Sequence, residues 1–226
     1  MVPSVKWALL PDGIAYIRIA RLYEHTGEKL VEAIADIYAK NGGEPNGLIL
    51  DLRANPGGLL NAAVAAAAAF LPRNALIVST NGQSADAKMK LYASKEYYIR
   101  GNKDDYMKKL PPSLSKVPMV VLVDRDTASG SEIIAAALQD HKRATVMGAR
   151  THGVGTVQTI LPLGENTALK LTTARVFRPN LNAIGPAGVT PDVVLNGGGD
   201  SKAAPPSPED DPAVVAAMEF LRAQKP

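Results

Sequence analysis

A serine stands where a strand gives way to a helix. The apolar run Pro118 to Val123 leads into Asp124-Arg125-Asp126-Thr127-Ala128-Ser129-Gly130-Ser131-Glu132-Ile133, and Ile134 to Asp140 continues as a helix. A hydroxyl flanked by alanine and glycine at a helix start suits a nucleophile, because helix-start amides stabilise developing negative charge. An N-cap serine satisfies the same pattern. A second segment, Asp51-Leu52-Arg53-Ala54-Asn55-Pro56-Gly57-Gly58, follows a short apolar strand and opens another helix. Its two glycines leave amides unshielded, as an oxyanion hole or anion nest requires, and as a tight turn also requires. It contains neither G-x-G-x-x-G nor Gly-Lys-Ser/Thr, so it is a poor phosphate loop. A third segment, Gly148 to Gln158, is glycine-rich and carries His152, a candidate base or a solvated loop histidine.

The elements that must position these residues read as an α/β protein. Gly13 to Ile19 alternates like a strand. Glu28 to Lys40 has helical spacing, with Thr26 as cap and Asn41-Gly42-Gly43 as stop. Gly47 to Leu52 reads as a buried parallel strand, Leu59 to Leu71 as a helix ended by Pro72, and Ala75 to Thr80 as a strand. Strand, helix, strand, helix, strand predicts a layered sheet with crossover helices. Residues 81–116 form a polar insertion, either solvated or lying near a site. After Gly155 the chain turns β-rich, over 156–161 and 168–177. Gly197 to Pro208 reads as a flexible linker before a short closing helix, Pro212 to Ala223. The expected organisation is a core over 1–195 and a linker plus helix over 196–226.

Composition excludes several functions. The 226 residues carry a formal charge of +3, too weak and scattered for a nucleic-acid surface, and 5% aromatics supply no stacking platform. Without cysteine there is no disulfide, thiolate metal site or cysteine nucleophile, and His25, His141 and His152 have no metal-ligand spacing. No metal or cofactor is expected. The longest apolar run, Ala62 to Leu71, is about half a membrane span. No secretory leader is visible at the N-terminus.

As an ordered set, the segments resemble the C-terminal processing (tail-specific) serine peptidases, whose core has the crotonase/ClpP-like fold. Leu50 to Gly58 is similar to the family's Leu-Asp-Leu-Arg-x-Asn-Pro-Gly-Gly, and Thr127 to Ile133 to its Ser-Ala-Ser-Ala-Ser-Glu-Ile element. Ala137 to Asp140, Ala168 to Ala174 and Gly188 to Asp192 follow in the family's order. The resemblance implies Ser129 as nucleophile, Gln158 as the residue orienting a lysine base, and amides of Gly130 and of Gly57 or Gly58 as oxyanion donors. It implies protein or peptide substrates engaged through their C-terminal regions, and a periplasmic or other extracytoplasmic location. Family members carry a PDZ domain ahead of the core, and this chain begins about where that domain should end.

One departure bears on the chemistry. The family's Gly-Lys-Gly is Gly153-Val154-Gly155 here, and position 154 keeps the expected spacing of 25 residues from Ser129. Valine accepts no proton. Three readings stay open: a peptide-binding or scaffolding module without activity, a substitute base, or a serine acting without a strong base. If the segment is extended, His152 shares a face with position 154. Lys142 and Lys170 are further candidates, although Lys170 belongs to the family's pattern and reads as structural. An acyl-CoA enzyme of the wider superfamily would need an adenine pocket and acid–base carboxylates, for which no constellation is found. The oligomeric state stays open.

Overall fold

The computed structural model describes residues 3–101, 104–165, 167–195 and 207–224. A six-stranded sheet forms the centre. β1 (Val5–Leu10) and β2 (Ile14–Ile19) make an antiparallel hairpin. Asp12 and Gly13 close it, both at positive φ. β3 (Gly47–Asp51), β6 (Met119–Val123), β7 (Thr145–Gly148) and β10 (Val193–Val194) follow β2 in parallel.

Period-two alternation decides what each face buries. Ile17, Ile19, Leu48, Leu50, Val121 and Val123 face a layer containing α1 (Thr26–Asn41), α2 (Leu60–Ala68) and α4 (Gly130–Asp140). Tyr16, Ile49, Val120 and Leu122 face the other way, onto Val214, Ala217, Met218 and Leu221 of α5 (Pro212–Ala223). The closing helix therefore covers the second face of the sheet. The stretch 197–206, read as linker, lies outside the described residues.

α1 stops as its glycines predict: Gly42 is left-handed and the Gly43 amide donates to the Tyr38 carbonyl at 2.9 Å. Thr26 is not the cap. His25 precedes the first turn, and the Thr26 hydroxyl accepts the Tyr23 amide at 2.8 Å.

The strand–helix–strand–helix–strand reading needs one correction. β4 (Leu76–Gly82) does not join the parallel sheet. It pairs with β5 (Lys90–Tyr92) and β9 (Thr167–Phe177), and β8 (Thr156–Gly164) completes a four-stranded antiparallel sheet. The place beside β3 goes to β6, whose five residues are all apolar and all buried, as a strand covered on both faces must be. β4 turns polar at Ser79-Thr80-Asn81 and suits a sheet with a wet face.

The polar insertion is ordered locally by buried anchors. It holds β5, α3 (Lys95–Tyr98) and three 3₁₀ turns, and Ala93, Tyr98 and Leu114 join the main core. It packs against α1 and α2, and none of its residues lines the cavity that holds Ser129.

A buried charge network ties α5 to the end of β3. The fully buried Asp51 accepts from Tyr16 Oη at 2.7 Å, Arg18 Nη1 at 2.9 Å and Arg53 Nη2 at 2.7 Å. Arg53 Nη2 also donates to Asp211 Oδ2 at 2.6 Å, and Asp211 Oδ1 caps α5 through the Ala213 amide at 2.9 Å. Burial alone would raise the Asp51 pKa. The hydrogen bonds and charge of Arg53, then Arg18 and Tyr16, overcome it and hold the carboxyl below its ordinary range. A depressed carboxylate stabilises the fold above its unfolded pKa of about 4 and loses that contribution as pH falls through the folded value. Asp51→Asn should lower stability at pH 7 by about 3–5 kcal/mol, read by urea unfolding. The gap to the parent chain should shrink as pH falls below about 4, because protons then bind the unfolded chain's carboxyl and, lower still, the folded parent's own.

Candidate active site

β3 and β6 are parallel neighbours, so the turns leaving them meet at one edge of the sheet. The turn after β6 carries Ser129 at φ 56°, ψ −117°, outside the regions a side chain favours. Such a backbone costs about 1–3 kcal/mol and persists only where its surroundings hold it. Here the Ala128 amide and the Ser131 hydroxyl both donate to the Asn55 carbonyl, at 3.0 and 2.7 Å. Asp124 Oδ1 collects the Thr127 amide at 2.9 Å and the Ala54 amide at 3.0 Å.

The turn after β3 is shaped by its asparagine and glycines. Asn55 is fully buried, donates Nδ2 to the Ile19 carbonyl at 2.8 Å and accepts the Gly57 amide at 2.9 Å. A Cβ on Gly57 would lie 2.8 Å from the Gly130 nitrogen, and one on Gly58 would overlap the Leu22 carbonyl oxygen. Both positions need glycine for close approach as well as for positive φ. The Gly57 amide is therefore engaged. The amides of Gly58 and Gly130 donate to no acceptor among the described residues and lie close together, the Cβ position of Gly130 being 3.8 Å from the Gly58 nitrogen.

Glu132, three residues into the elbow, joins the third segment to the other two. Its side chain is fully buried. Oε2 accepts the Ser129 amide at 2.8 Å and the Val154 amide at 3.0 Å; Oε1 accepts the Gly153 amide at 2.7 Å and the Thr151 hydroxyl at 2.5 Å. The His152 amide donates to the Thr127 carbonyl at 2.9 Å. The segment is not extended, since Gly153 has φ 88°. His152 and Val154 consequently part: the His152 side chain is exposed, whereas Val154 lines a cavity with Ser129.

That cavity holds about 560 Å³. Gly58, Ser129, Gly130, Val154, Gln158 and Lys170 line it, with an apolar remainder that includes Leu60, Ile133, Ile160 and Ile184. Gln158 donates Nε2 to Thr172 Oγ1 at 2.8 Å and to Thr156 Oγ1 at 3.1 Å. Lys142 lies elsewhere, in a depression of similar volume with Lys116 and Arg143 that contains no Ser129. Among the described residues no cluster of three or more His, Cys, Asp or Glu could hold a metal ion, and no helix is long and apolar enough to cross a membrane.

A hydroxyl on a strained elbow beside two unpaired amides and an apolar cleft is equipment for acyl transfer. Residues 13–195 match the profile described as "Peptidase family S41". The chain belongs to peptidase family S41. Within the S41 family it is 42% identical over 195 residues to the "Carboxy-terminal-processing protease" of Bartonella bacilliformis, covering 86% of this chain and 41% of that protein. It is 31% identical over 184 residues to the "Carboxyl-terminal-processing protease" of Synechocystis sp., covering 81% and 38%. The chain thus spans about two fifths of the length of these relatives. The "Photosystem II D1 C-terminal processing protease" superposes with a TM-score of 0.66 at 30% identity, over 86% of this chain and 49% of that one. A "Putative S41 protease" from Bacteroides fragilis gives a TM-score of 0.76 at 16% identity, over 98% and 58%, and shares the fold.

Sequence reasoning gave Glu132 no role of its own. Its signal was present, because serine followed three residues later by glutamate is a capping-box pattern. Two carboxylate oxygens accept four donors here, which glutamine cannot do. Glu132→Gln should leave two buried donors facing an NH₂ group, at about 1–3 kcal/mol each. Urea unfolding should show that loss, and labelling of Ser129 by a fluorophosphonate probe should fall with it.

Proposed function

We propose that this chain is the catalytic core of a serine endopeptidase acting on proteins near their C-terminal ends. Ser129 is the nucleophile, attacking the scissile carbonyl. The amides of Gly58 and Gly130 receive the oxyanion, and Gln158 stands where it would orient a base at position 154. What carries the reading is the strained Ser129 elbow with two unpaired amides beside it, on an apolar cavity large enough for peptide side chains. The names of the relatives support protein substrates with processed C-termini. Relatives named as chloroplastic support a location outside the cytoplasm.

Val154 favours a second reading, a peptide-binding module on the same fold with little or no turnover. Its side chain lines the cavity at the position of the family's base and removes the proton acceptor. His152, exposed and outside the cavity lining, is not the substitute in this proposal. A general base contributes about 10²–10⁴-fold to such a reaction. Cleavage of casein should therefore be weak or absent in the chain as given and unchanged by His152→Ala. It should rise by about two orders of magnitude or more in Val154→Lys and vanish when Ser129→Ala is added. A Val154→Lys protein that folds and stays silent would favour the binding module. Activity lost on His152→Ala would reinstate the histidine as base.

A further inference from the structure

β8 is the outermost strand of the antiparallel sheet, and one side of it has no partner among the described strands. Exposed edges are normally blunted by charges or bulges that turn them away from pairing. No charge does so here: Thr156-Val157-Gln158-Thr159-Ile160-Leu161-Pro162-Leu163-Gly164 contains no charged residue, and the register shifts in its pairing with β9, at Val157/Gln158 and Pro162/Gly164, leave its outer side without a partner strand. Its proline stands at the far end, where it blocks one amide and ends the pairing surface. Ile160 is 65% exposed although apolar. The near half of the strand, Thr156 to Gln158 and Ile160, lines the cavity of Ser129, so edge and cleft are continuous. In this otherwise uncharged cavity Lys170 is the one charged lining residue among those described. The register places it opposite Ile160, two residues beyond the Gln158–Thr172 pair on the same face.

We infer that an extended peptide adds as a further strand to the free edge of β8, with its terminal carboxylate held by Lys170. The inference rests on the peptidase reading above and specifies how that site takes its substrate. From Thr156 to Ile160 the edge runs about 13 Å, the length of about four extended residues. A segment ending in small or branched apolar residues fits: its main chain satisfies the strand edge, its side chains enter the cavity, and its one charge meets the ammonium.

The test is binding of a fluorescein-labelled apolar hexapeptide, read by anisotropy, with Ser129→Ala in every protein so that no probe is consumed. Four probes are compared: the free acid, its C-terminal amide, and two acids N-methylated at alternate amides in opposite registers. The acid should bind about fivefold tighter than the amide, as a partly screened ion pair allows. Lys170→Met should weaken the acid to the level of the amide and leave the amide unchanged, which also shows that the variant is folded. One N-methyl register should abolish binding and the other spare it. Equal affinity for acid and amide, equal loss of both in Lys170→Met, or equal tolerance of both registers overturns the inference. So does a dimer in sedimentation that the free acid fails to dissociate, because a second copy then occupies the edge. Casein cleavage by Val154→Lys, run in parallel, separates the two readings. Cleavage without acid preference overturns the docking alone, and docking without cleavage overturns the peptidase reading alone.

Discussion

The Glu132 carboxylate is the constraint on which the site depends. A buried carboxylate is unfavourable unless its oxygens are fully hydrogen-bonded. Here the donors come from the Ser129 elbow and from the 151–154 loop. Neither segment can leave without stranding a charge, so each holds the other. The position is favourable because the first turn of α4 presents the positive end of its dipole to the carboxylate. The same contact offsets strain, since the amide of Ser129, held at positive φ, is one of the four donors.

Around this clamp the two parallel strands divide the work. β6 delivers the hydroxyl and β3 delivers the glycine turn; Asn55 binds them, its carbonyl accepting from the elbow and its side chain ordering Gly57. Engaging the Gly57 amide internally leaves the Gly58 amide to face the cavity beside Gly130. A turn with both amides free would place its donors less definitely, because nothing would fix the peptide plane. Downstream, Asp51, Arg53 and Asp211 anchor the same turn to α5, so the far face of the sheet also steadies the site.

Much of this was legible in sequence because it is local. The strand of Gly47 to Leu52, the glycine stop at Gly42 and the helix of Pro212 to Ala223 each follow from short-range patterning, and the structure has them within about two residues. The destination of β4 was not legible, because an apolar run does not announce which sheet it joins; competition with the wholly apolar β6 decides it. The divergence of His152 from Val154 turned on Gly153, whose positive φ breaks the alternation that an extended segment would have. The insertion's place beside α1 and α2 depends on anchors such as Tyr98 and Leu114, scattered through a polar stretch with no single period. The Arg53–Asp211 pair joins residues 158 positions apart, beyond any local signal.

What valine does at position 154 follows from how that position is held. Glu132 grips the main-chain N–H there, a group that every residue but proline provides. The loop geometry therefore does not require a lysine, and valine is accommodated there with the cleft, the elbow and the amides in place. The surrounding cavity is mainly apolar, with Lys170, Ser129, Thr156 and Gln158 as its polar side chains. An ammonium placed among Ile133, Ile184 and Val176 would be desolvated, which favours the neutral amine that a base must be. Valine in that setting is instead well solvated by its neighbours and adds apolar surface for a ligand side chain. The hydrogen bond that positions residue 154 is thus independent of its side chain, so the proposed peptide contacts and the proposed proton acceptor can vary separately.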